Sequence, residues 1–82
     1  MKLKVYTLIV MHNNKDASIM VVAPSLVHAK KLAAKKLKLD LKKCKVHIHY
    51  SDTLKQHNID ARDSENKTFS NKIQTHIIWN KF

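Results

Sequence analysis

A chain of 82 residues makes one domain, expected over 1–82, with a modest core. Apolar residues are 44%, too many for a disordered tail, and no apolar run approaches the roughly 18 residues of a membrane-crossing helix. Sixteen Lys and Arg against six Asp and Glu leave a net charge of +10, and the single cysteine, Cys44, excludes an internal disulfide framework and a zinc site built on several cysteines.

Lys2 to His12 alternates as a strand. Leu3, Val5, Thr7, Ile9 and Met11 fall on one face, and Lys4, Tyr6, Leu8 and Val10 on the other. Both faces are largely apolar, which predicts a central position. Asn13-Asn14-Lys15-Asp16 reads as a turn; in a chain without glycine, Asn is the residue best able to take positive φ. Ala17 to Ala23, rich in Ile and Val, completes a hairpin. Pro24-Ser25 ends that strand, and Ser25 is a good helix N-cap. From Leu26 to about Leu39 the period becomes helical, with Leu26, Ala29, Ala33 and Leu37 on one stripe.

Cys44 to Tyr50 reads as a third strand. Cys44, Val46, Ile48 and Tyr50 face the expected core, and Lys45, His47 and His49 point outward. Thr53 to Ile59 suits a short helix. Asp60 to Lys67 is polar without an apolar period and reads as a mobile loop. Thr68 to Trp79 reads as the last strand, kinked near Ser70-Asn71, with Ile73, Thr75, Ile77 and Trp79 alternating with Lys72, Gln74, His76 and Ile78.

Chain direction constrains the topology. The helix returns antiparallel to strand 2, so strand 3 runs parallel to strand 2. A right-handed crossover then sets strand 3 beside strand 1. The expected fold class is α+β: a four-stranded antiparallel sheet from a β-β-α-β-β chain, in order 2-1-3-4, with one principal helix on one face. Its expected core is Val5, Ile9, Ile19, Val21, Leu26, Ala29, Ala33, Leu37, Val46 and Ile48. The open face would carry Lys4, Tyr6, Leu8, Val10, Met20, Val22, His47, His49, His76 and Ile78. That face is more apolar than water requires, and such patches mark partner sites.

The charge is concentrated. Residues 1–45 hold eleven Lys against Asp16 and Asp40, a net +9, whereas residues 46–82 carry +1. Only Arg62 among the basic residues is Arg. Lys attracts phosphate as a point charge, without the fork that reads a guanine edge. Codon usage in an AT-rich genome produces the same preference for Lys. Lys31, Lys35, Lys38 and Lys42 share one stripe if the helix continues to Lys42. They form the candidate ridge for nucleic acid or a partner, although a solvated face is the commoner origin of such a stripe. Lys4, Tyr6, Leu8, His47, His49 and His76 are the candidate contacts on the open sheet face.

Catalytic chemistry finds little support. His47, His49 and His76 on neighbouring strands would gather three imidazoles, a set that holds zinc. No carboxylate is placed to orient them, and alternating His also forms an ordinary polar exterior. No metal is assigned, and a His-rich metal-binding protein stays as an alternative. Cys44 lies between Lys43 and Lys45, but its register faces the core, where it serves as a small buried hydrophobe. Asp52, Asp60, Asp63 and Glu65 show no paired-carboxylate geometry. Without Gly there is no phosphate-cradling loop. Asn66-Lys67-Thr68 fits a glycosylation sequon. Tyr6 and Trp79 could stack on bases or simply pack. The reading is a non-enzymatic chain with no cofactor. No small-residue cleavage site follows the basic start, so no secretory signal is expected and a cytoplasmic setting is.

The stretch Ala17-Ser18-Ile19-Met20-Val21-Val22-Ala23-Pro24-Ser25-Leu26-Val27-His28-Ala29-Lys30-Lys31-Leu32-Ala33 resembles a joint found in small phage proteins. There a hairpin's second strand ends in Ala-x-Ser and enters a helix carrying Ala-Lys-x-x-Ala. Some type I anti-CRISPR proteins have this format, and the resemblance covers residues 1–42. It implies a non-enzymatic inhibitor in the cytoplasm of a bacterial host, bound to a host nucleoprotein effector complex. Many such inhibitors are acidic and imitate DNA. A basic member would instead meet an acidic or apolar protein surface, touch the guide RNA or recruit DNA. The expected function is therefore a small phage or mobile-element binding protein acting on a nucleoprotein complex. The alternative is a sequence-independent nucleic-acid binder. No membrane partner is expected.

Overall fold

The computed structural model describes residues 2–61 and 69–81. β1 (Lys4–His12) and β2 (Lys15–Ala23) form a hairpin in which His12 pairs with Lys15. Only Asn13 and Asn14 lie between, at φ 52° and 62°. Two consecutive left-handed residues make the two-residue turn whose twist matches the strands.

α1 (Leu26–Leu37) begins at Ser25, whose hydroxyl accepts the His28 amide at 3.2 Å. It stops at Lys38, which takes the left-handed conformation at φ 57° and ψ 41°. The helix therefore ends before Leu39, and its stripe does not run on to Lys42. A 3-10 turn follows over Leu41–Lys43, capped by Asp40, whose Oδ1 accepts the Lys42 amide at 3.1 Å.

β3 (Lys45–Thr53), α2 (Leu54–Ala61) and β4 (Gln74–Asn80) complete the order. β3 runs past Tyr50 because Ser51 and Asp52 pair with Tyr6 and Val5. Thr53 Oγ1 then caps α2 by accepting the Gln56 amide at 3.2 Å. α2 includes Asp60 and Ala61, which the sequence assigned to a loop. The rest of that loop, the Asn66-Lys67-Thr68 sequon and the expected strand start at Thr68 lie outside the described residues, but Phe69 to Ile73 are not strand, so β4 begins only at Gln74 and runs one residue past Trp79.

The fold is α+β, with one principal helix and an antiparallel sheet in the order β3-β1-β2-β4. β3 lies beside β1, as a right-handed crossover requires. β4 lies beside β2 rather than β3, which corrects the expected order 2-1-3-4. β2 and β3 are parallel, so β4 is antiparallel at either edge and direction alone does not choose. On the second face of the sheet, Leu54 of α2 and Phe69 ahead of β4 pack with Val5 and Val22.

Under α1, Tyr6, Leu8, Ile19, Val21 and Ala23 meet Ala29 and Ala33. Fully burying a side chain such as Leu8 or Ile19 contributes about 1.5–3 kcal/mol. Leu26, Leu37 and Val46 pack at the margin of this core. The two faces of β1 are thus exchanged relative to expectation. Tyr6, Leu8 and Val10 are buried, and the hairpin register explains why: Tyr6 pairs with Val21 and Leu8 with Ile19. β1 is apolar on both sides, so its own alternation does not say which side meets the helix. Val5 is buried on the other face, with Val22 and Phe69. Ile9 is half-buried, and Ile48 is 37% exposed on the outer strand β3.

Candidate functional site

Lys30, Lys31, Lys35, Lys36, Lys38, Lys42, Lys43 and Lys45 are all exposed, and Asp40 is the sole acid among residues 30–45. α1 turns its Ala29 and Ala33 side to the sheet, which leaves its lysines toward water. Among the described residues none of these ammoniums makes an ion pair.

The left-handed turn at Lys38 folds the following segment back beside α1. A groove of about 560 Å3 results, lined by Val27, Ala34, Leu41 and Val46, with Lys30, Lys31, Lys42, Asp40 and Cys44 also at its walls. Cys44 is half-buried there and its Sγ donates to the Asp40 carbonyl at 3.4 Å. That corrects its assignment as a core residue. Lys31 also shares a smaller hollow with Lys35, beside Ser25 and His28. The structure therefore joins Lys31 to Lys35 and Lys31 to Lys42 through two hollows rather than along one helical stripe. Lys38 is exposed at the helix end and lines neither hollow. Lys30, Lys36, Lys43, Lys45 and Val27 are not among the candidates that the sequence marks. The signal for the lysines was their density, which a helical stripe reads only in part.

The open-face candidates separate. Tyr6 and Leu8 lie beneath α1 and offer no contact surface. Lys4 is exposed and pairs with Ala23, at the end of the α1 side. His47 is exposed opposite Ile9, His49 sits at a bulge in β3, and His76 pairs with Met20. β3 and β4 are the outer strands, so three strand spacings, about 14 Å, part His47 from His76, and a two-residue offset along the strands adds to that. The imagined zinc trio on neighbouring strands is not assembled. Among the described residues no group of three His, Cys, Asp or Glu is placed to hold a metal.

At the hairpin tip, Met11 to Asp16 and the lysines Lys43 and Lys45 line a further hollow of about 500 Å3. Across the sheet, the Lys81 ammonium lies 5.1 Å from the centroid of the Trp79 ring. Among the described residues no helix is long and apolar enough to cross a membrane. Comparisons with protein-family models, with curated proteins and with solved structures find no match to the chain.

Proposed function

We propose that the chain is a non-enzymatic binding protein that docks on nucleic acid, bare or within a nucleoprotein complex. The observation that carries this reading is the run of eight exposed lysines over α1, the 3-10 turn and the start of β3, with one acid among them. Ammoniums of this kind replace counterions condensed on phosphates and select no base sequence. The apolar floor of the α1 groove favours a nucleoprotein target over bare nucleic acid. Phosphates make no use of Val27, Leu41 and Val46, whereas an aliphatic side chain of a partner does. The anti-CRISPR setting that the hairpin-helix joint resembles is one such complex.

The test is affinity for random-sequence nucleic acid over a range of salt. Each phosphate neutralised on duplex DNA adds about 0.9 to the log–log slope, so engagement of four or more lysines gives a slope beyond about −3. A flat salt response, or no binding at low salt, overturns the reading. Recovery of a partner complex before nuclease treatment and after it separates the nucleoprotein target from bare nucleic acid.

A further inference from the structure

We infer that the nucleic acid bound is single-stranded and that one of its bases stacks on Trp79, on the part of the sheet that α2 leaves open. This rests on the nucleic-acid reading above and names the strand state it takes.

Leu54 and Phe69 pack over Val5 and Val22. Toward the hairpin tip the same face continues as the cross-strand row His47, Ile9, Ser18 and Trp79. There Trp79 is 43% exposed, and Met11, two strands away on β1 and nearer the tip, 40%. A bulge puts the indole on this side. Ile77 pairs with Ile19 and packs toward α1, and strict alternation would send Trp79 the same way. The pairing instead slips, Ile78 is left over, and Trp79 falls opposite Ser18 on the other face.

The ring already receives a cation. The Lys81 ammonium stands 5.1 Å from its centroid, and the Lys81 amide is tied to the Asp16 carbonyl at 3.0 Å. A nucleotide exchanges these contacts, its base taking the ring and its phosphate the ammonium. The lysines also lead to this place. Lys45 pairs with Met11 on the open face, and with Lys43 it lines the hollow at the hairpin tip. Lys43 adjoins Lys42 at the α1 groove. Cations therefore pass from the groove around the tip to the sheet face, with Asp40 at the groove and Asp16 at the tip the acids beside them. A duplex keeps its bases stacked inward and presents none to a sheet face, whereas a single strand does.

Trp79 is the sole tryptophan, so its fluorescence reports on the site directly. The full chain is titrated with a short oligothymidylate and with a random-sequence duplex of equal length. The oligothymidylate quenches Trp79 and binds more tightly than the duplex. Trp79→Ala weakens oligothymidylate binding by about 5- to 150-fold, the usual loss for one stacking platform. Trp79→Phe retains most of it, and neither substitution changes duplex affinity. Oligothymidylate binding with undisturbed fluorescence and equal affinity for all three proteins overturns the stacking site and leaves the lysine reading standing. So does tighter binding of the duplex. No binding of either nucleic acid overturns both. If the alanine variant loses its fold by circular dichroism, the wild-type quench and the phenylalanine variant decide.

Discussion

The side chain of Asn58 clasps the backbone of Phe69 at two points. Its Nδ2 donates to the Phe69 carbonyl at 2.9 Å, and the Phe69 amide donates to Oδ1 at 3.0 Å. One amide side chain thus does the work of a neighbouring strand for one residue. The clasp holds Phe69 against Val5 and Val22, with the His57 and Phe69 ring centroids 5.5 Å apart. The Gln74 side chain then donates to the Ser70 carbonyl at 3.0 Å and closes the entry into β4. Together these contacts deliver β4 to the edge of β2.

Asn58→Ala removes both bonds and leaves a part-buried amide and carbonyl without their partner. The expected loss is about 1–3 kcal/mol, read as a lower urea midpoint. Asn58→Asp keeps an acceptor for the Phe69 amide but faces a carboxylate toward the Phe69 carbonyl, so it too is less stable than the parent. Unchanged midpoints for both would remove the clasp from the account of strand order.

Thr7 is 6% exposed, and among the described residues its hydroxyl oxygen has no hydrogen-bond partner. Valine has nearly the same shape and no hydroxyl to desolvate. Thr7→Val should therefore raise stability by about 1 kcal/mol, with the thermal midpoint moving up several degrees for a domain of this size. A lower midpoint would mean that the hydroxyl is satisfied in solution.

The hairpin, α1 and the place of β3 were readable because each has a local chemical sign. These are a pair of Asn at a turn, Ser25 at a cap, and the handedness of a crossover. Three features had no such sign. The two faces of β1 are equally apolar, so only its pairing with Ile19 and Val21 shows which meets α1. The edge taken by β4 depends on the contact between Asn58 and Phe69, eleven residues apart. The bulge at Ile78 breaks the period of two that groups Trp79 with Ile77, and the bulge at His49 breaks it in β3. For the site, lysine density was visible at once. The division of Lys31, Lys35 and Lys42 between two hollows was not, because Lys38 ends the helix without the glycine that marks such a stop.

Lys38 is a non-glycine residue at φ 57°. A side chain in that region costs about 1 kcal/mol, and glycine removes the cost. Lys38→Gly should raise the thermal midpoint by several degrees. It should take away one phosphate contact at most, so the salt slope falls by no more than about 0.9. A lower midpoint would show that Lys38 is held by contacts that offset the strain.

Lys31 is shared by both hollows and Lys42 stands across the groove from α1. The double variant Lys31→Gln with Lys42→Gln should therefore lose up to two contacts. Its salt slope on duplex DNA should fall by about two units at most. Affinity should drop to a similar extent on every sequence, because Lys makes no bidentate base contact. Stability should hold or rise slightly, since Lys31 and Lys35 repel across one helical turn. The control is Lys55→Gln with Lys72→Gln, which removes the same charge from exposed residues outside the two hollows. Equal losses in the two double variants would mean that net charge alone drives binding. Weakening confined to the first would place the phosphate track along the α1 groove.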